Sequence, residues 1–169
     1  MAFYHQNKAL VLNETLAQQL SRPSPKPLTN KVIVLIHGLT NLETIWDLKP
    51  DPLDSENKDA EAPNKDNYGR RLQDEYGYTP FYLRYNTGLS IKENGQKLNH
   101  LLNELQSAYP IQIDDIVLMG FSMGGLLIRS AQKLAQDKHT PWLDKLSNCY
   151  YIGTPHEGSP LEKFGHLAS

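Results

Sequence analysis

Cysteine is almost missing from this chain. Its 169 residues include one, Cys149, which excludes an intrachain disulfide and any metal site built from several thiolates. An excess of charge of one sign is missing too. Lys plus Arg number 17 and Asp plus Glu 19, for a net charge of −2, so nothing marks the chain for nucleic acid or an anionic membrane. No apolar run approaches the ~20 residues that span a bilayer. The N-terminus also lacks a basic leader with an apolar block, since Ala9-Leu10-Val11-Leu12 is too short. The expectation is a cytoplasmic protein with no transmembrane segment, no metal and no cofactor.

The length suits one domain with a real core. Leu12, Leu16 and Leu20 at four-residue spacing predict a helix within residues 8–20, and the three prolines between Ser21 and Pro27 predict an extended linker. We therefore expect an N-terminal helix and linker over 1–29 and the main domain over 30–169. Val32-Ile33-Val34-Leu35-Ile36 reads as a buried strand. Residues 41–67 read as a surface excursion with Leu42, Ile45, Trp46, Leu48 and Leu53 as its apolar anchors. A helix over 68–76, closed by Gly77, precedes a strand at Phe81–Tyr85. Ser90 and Glu93 form a capping box, opening a helix that ends before Pro110 with Ile91, Leu98, Leu101, Leu102 and Leu105 inside. Ile116–Met119 is a continuously apolar strand. It is followed by a helix from Met123 to about Gln136, with Leu126, Leu127, Ser130, Ala131, Leu134 and Ala135 on one stripe, and by a strand at Cys149–Gly153. Strands alternating with helices predict a parallel α/β sheet with flanking helices.

The chemistry centres on Gly120-Phe121-Ser122-Met123-Gly124. A serine at a sharp strand-to-helix turn has its hydroxyl held out above the sheet edge, and the glycines permit the tight backbone approach. Ser122 is thus the candidate nucleophile. Acyl transfer by serine also needs donors for the developing oxyanion and an acid–base partner. The donors expected are the backbone N–H groups of Met123, at a helix N-terminus, and of Leu39, in the turn after the first strand, where Gly38 leaves the backbone unobstructed. His37 is expected to fix that turn by hydrogen bonding. Arg84 and Tyr85 leave their strand at the same edge as candidate rim residues, and Met123, Leu39, Trp46 and Leu161 would make the surroundings apolar, as suits an acyl chain. His100 and His139 are expected to face solvent, and Asp114 and Asp115 to be solvated turn residues.

Four blocks in order carry a resemblance: Leu35-Ile36-His37-Gly38-Leu39, Tyr82-Leu83-Arg84-Tyr85-Asn86-Thr87-Gly88, Gly120-Phe121-Ser122-Met123-Gly124-Gly125 and Gly153-Thr154-Pro155-His156-Glu157-Gly158-Ser159-Pro160-Leu161-Glu162. From about Lys31 to Ser169 the chain resembles the α/β-hydrolase superfamily, and within it lipase-like bacterial hydrolases similar to GPI inositol deacylases. The resemblance implies a serine hydrolase acting on carboxylic esters, with a small-molecule or lipid ester as substrate. It also implies that the segment of His156 lines the active-site rim and that the triad acid and histidine come after Ser122, each beyond a further strand.

One helix, one strand and the loop around His156 take up the residues C-terminal to Ser122. The expectation is therefore an α/β-hydrolase domain truncated after the strand that succeeds the nucleophile helix. Its triad Asp and His would be missing and its activity poor. Its open sheet edge would be prone to self-association or would await a missing C-terminal half. The alternatives are a non-catalytic α/β-hydrolase-like binding module, or an acyltransferase or thioesterase on the same fold.

Overall fold

A computed structural model describes residues 1–5, 8–20, 27–48 and 67–157. Its sheet has six strands: β1 (Ala2–His5), β2 (Lys8–Ala9), β3 (Lys31–Ile36), β4 (Thr79–Arg84), β5 (Asp115–Phe121) and β6 (Leu146–Ile152). They lie in the order β2-β1-β4-β3-β5-β6. The four strands β4, β3, β5 and β6 are parallel, while β1 joins β4 antiparallel with Phe3 opposite Leu83. The α-helices among the described residues are α1 (Leu16–Leu20), α2 (Tyr68–Tyr76), α3 (Ile91–Ala108) and α4 (Met123–Lys138). The fold is α/β, as the alternation of elements predicts.

Local signals set several boundaries to the residue. The α2 helix begins at Asn67, whose side chain accepts from the Arg70 N–H, and ends at Gly77 with φ 74°. The α3 helix opens on the full capping box of Ser90 and Glu93.

The N-terminal segment differs from its expectation. Residues 2–5 form a strand, Lys8–Ala9 pair back on it, and among residues 8–20 helix covers Leu16–Leu20. The boundary expected at residue 29 thus falls between strands of one sheet. The cause is tertiary: Phe3 is buried against the Phe81 ring, an attraction that no local pattern encodes.

Two apolar clusters flank the sheet. Val32, Val34, Ile36, Phe81, Leu83, Ile116 and Leu118 face a large one with Leu98, Leu102 and Leu105 of α3 and Leu127, Ile128, Ala131 and Ala135 of α4. Leu35 and Tyr82 face a small one with Trp46, against which Met119 and Phe121 pack half-buried. On α4, the expected stripe shifts: Ile128 is buried, while Leu126, Ser130 and Leu134 are half-buried. Trp46 is an anchor as expected, Leu42 is exposed, and Leu53 lies outside the described residues. Among the described residues no helix is long and apolar enough to cross a membrane.

Candidate active site

The chain passes from β3 out to β4 on one side, then back across β3 to β5 on the other. That reversal puts the switch point at the carboxyl ends of β3 and β5, the place where ligands bind in open α/β sheets. The two sequence blocks nominated for chemistry meet there.

Ser122 stands between β5 and α4 with φ 51° and ψ −121°, a backbone conformation that costs a non-glycine residue of order 1–3 kcal/mol. Its surroundings enforce it. The Ser122 N–H donates to the Ile152 carbonyl of β6 at 2.8 Å, and the Gly125 N–H closes back on the Ser122 carbonyl at 3.1 Å. A Cβ on Gly124 would lie 2.7 Å from the His37 carbonyl oxygen and closer still to that of Ile36, so only glycine lets α4 start against the end of β3. A Cβ on Gly38 would come within 2.9 Å of the Ser122 Cβ, which places the His37-Gly38-Leu39 turn directly beside the serine. Ser122 thus sits in the strand–turn–helix frame that its motif requires.

Two backbone donors border it. Met123 is the first residue of α4, so its N–H has no intrahelical acceptor and lies at the positive end of the helix dipole. The Leu39 N–H belongs to a turn in which Thr40 has φ 59° and the Asn41 side chain donates to the Leu39 carbonyl at 3.2 Å. Among the described residues, neither N–H donates to a protein acceptor.

His37 is fully buried and stacks on the Tyr85 ring at 4.5 Å. Its Nδ1 lies 2.9 Å from the Gly38 carbonyl, which can only accept, so Nδ1 carries the proton. Burial, aided by the Arg84 charge and opposed by the Gly38 bond, lowers its pKa and keeps the ring neutral. Nε2 has no partner among the described residues. Tyr85 donates to the His37 carbonyl at 2.8 Å, and burial raises the pKa of its hydroxyl. Both side chains brace the turn from beneath.

Arg84 and Tyr85, expected at the rim, have internal partners instead. Arg84 donates through Nε to Glu43 at 2.8 Å, its second arm reaches the other carboxylate oxygen, and its guanidinium lies 4.0 Å over the Tyr4 ring. Glu43, almost fully buried, carries no signal in the sequence beyond its place in the excursion. His156 points elsewhere: its Nδ1 accepts from Arg129, two turns along α4, and its ring meets Tyr151 edge-on. No histidine among the described residues hydrogen-bonds the Ser122 hydroxyl. Thr154 carries no signal of its own in the sequence beyond its block; its side chain seats against Gly125 in the first turn of α4. Leu161 lies outside the described residues, and among those described no cluster of side chains could hold a metal ion.

No curated protein and no solved structure matches the chain. Residues 57–163, more than half of the sequence, match the family described as alpha/beta hydrolase of unknown function (DUF915). That span carries the serine turn, α3, α4 and β6, and the strand order of the sheet is consistent with such a fold. The chain belongs to this alpha/beta hydrolase family.

Proposed function

We propose that the protein is a serine hydrolase of the lipase or esterase type, acting on carboxylic ester bonds. In this reading Ser122 Oγ attacks the ester carbonyl and the N–H groups of Leu39 and Met123 hold the oxyanion. The alcohol then leaves, and water releases the acid from the acyl-enzyme. The observation that carries the reading is the strained backbone of Ser122 with the Gly38 turn packed against it. Strain of that kind persists where the surrounding structure enforces it, and it gathers at active sites. The exposed side chains of Leu39 and Leu42, with half-buried Met123 and Phe121, favour an apolar ester. The resemblance to lipase-like hydrolases similar to GPI inositol deacylases points the same way. The general base is assigned to none of the described histidines.

Incubation with an alkyl fluorophosphonate, followed by intact-mass spectrometry, tests this. Ser122 Oγ would displace fluoride from phosphorus, giving one adduct on the wild type and none on Ser122→Ala. A wild type that stays unlabelled at long exposure, with a C-terminally extended product unlabelled as well, overturns the hydrolase reading. The non-catalytic binding module then takes its place, favoured by a serine hydroxyl without a histidine partner among the described residues.

A further inference from the structure

The N–H of Leu39 needs an accurate position, yet its own side chain is half exposed and belongs to neither apolar cluster. Among the described residues, only the Asn41 side-chain bond to the Leu39 carbonyl and a long Asn41 N–H to Gly38 carbonyl bond of 3.4 Å hold the backbone within the loop. Its placement must come from the two ends. Upstream, His37 is fixed by β3, by the Tyr85 hydroxyl and by its ring stack. Downstream, the chain enters a short 3-10 helix, Glu43–Trp46. Its first residue is Glu43, 5% exposed and gripped in a two-armed ion pair by Arg84 at the end of β4. A fork of this kind fixes orientation as well as distance. Arg84 is itself held by Tyr4 of β1, so the grip traces back to the rigid sheet.

We propose that the Glu43–Arg84 pair positions the Leu39 N–H, so that both are positioning residues for the Ser122 reaction. The inference rests on the reading of Leu39 as an oxyanion donor. It gives Arg84 a task other than substrate contact, and it brings β1, the strand farthest from the chemistry in sequence, into the support of the site. The other donor, Met123, is set by β5 and α4 and does not depend on the pair. This asymmetry makes the proposal testable.

Two variants are needed, because a lone buried charge could unfold the protein. Glu43→Gln keeps the volume and loses the charge. Glu43→Leu/Arg84→Met replaces the fork with apolar contacts. For each, the saturation kinetics of Ser122 phosphonylation by an alkyl fluorophosphonate are measured, together with the thermal midpoint and the 1H–15N amide signals of Leu39 and Met123. In the variant that keeps its midpoint, the maximal labelling rate should fall about tenfold or more, equivalent to about 1.4 kcal/mol. The half-saturating probe concentration should stay within about twofold. The Leu39 amide signal should shift or broaden while that of Met123 stays in place. A folded variant that labels at the wild-type rate with an unmoved Leu39 amide overturns the positioning role and leaves the site reading standing. A wild type and a C-terminally extended product that both fail to label overturn the site reading itself. In that case an unmoved Leu39 amide in the variants refutes positioning of the turn as well.

Discussion

Strands β3 and β6 flank the same neighbour, β5, and both run parallel to it, yet their environments are opposite. Every residue of β3 after Lys31 is buried, and no residue of β6 is. β3 has a strand on either side, the α3–α4 layer on one face and the Trp46 cluster on the other. Among the described residues, β6 has β5 on one side and α4 on one face, where Tyr151 donates to Gln132 at 3.0 Å. On its other face, Tyr150 and Ile152 remain about half exposed. Among the described residues, Ser122 sits on the seam between a buried strand and an exposed one. The turn that would hold an oxyanion comes from the buried side.

The contrast should be broken most severely by truncating the core. Phe81→Ala, at a fully buried ring, should cost about 3–5 kcal/mol, whereas Tyr150→Ala should stay within about 0.5 kcal/mol; urea unfolding of both variants measures the ratio. Next comes Gly124→Ala, which drives a Cβ into the β3 carbonyls and should cost up to about 3 kcal/mol by overpacking. It should also abolish labelling of Ser122. Gly153, at the end of β6, offers the matched control: it has φ 58° and open space around its Cα. Gly153→Ala should cost only the left-handed backbone penalty of about 1 kcal/mol.

Ser122→Gly should go the other way. Relief of strain at φ 51° should stabilise the fold by about 1 kcal/mol while removing the proposed nucleophile, a trade visible as a higher thermal midpoint without labelling.

A smaller effect comes from protons. The pKa values of His37 and His5 are both lowered, chiefly by burial, from the ordinary value of 6.5. The unfolded chain therefore binds more protons than the folded one once the pH drops below about 6.5. The contribution of the two histidines should be fully present above about pH 6.5 and be lost as the pH falls toward each folded pKa. Thermal midpoints at pH 7.5 and 5.5 should show the decline, and His37→Asn and His5→Gln should each flatten it. Smallest is the response of Cys149 on the helix-facing side of β6. Burial, against an opposing Tyr151 contact, pushes its thiol up to about 11. Alkylation by iodoacetamide at pH 8 should lag behind a free thiol, and fast reaction would mean that β6 opens from β5.

The sequence made legible whatever is encoded by neighbours in the chain. The capping box at Ser90, the Gly77 stop and the serine turn all depend on contacts within a few residues, and each stands where the pattern puts it. Tertiary pairing erased other signals. β1 exists because Ala2–Tyr4 pair with Tyr82–Arg84. Asn94 and Asn99 are polar residues with no local sign of burial, yet both are buried on α3. Asn94 donates to the carbonyls of Asn86 and Leu89, and Asn99 accepts from the Trp142 indole at 2.7 Å. At the site, Ser122 and the His37 turn were visible, because small residues at fixed spacing leave a local trace. The Glu43–Arg84 fork joins side chains 41 positions apart and leaves none.

Asp47 and Asn67 form a single antiparallel bridge, and the Asn67 side chain also accepts from the Tyr82 hydroxyl at 2.5 Å. Asp47 and Asn67 are therefore held side by side at one point, which Tyr82 anchors to β4. A bridge of this kind makes the sheet indifferent to the number of residues between its two halves. For a chain closed at fixed ends, doubling that number costs only about 0.6 kcal/mol of closure entropy. An engineered insert between the bridged positions, such as a reporter or a recognition module, should leave the floor of the site in place.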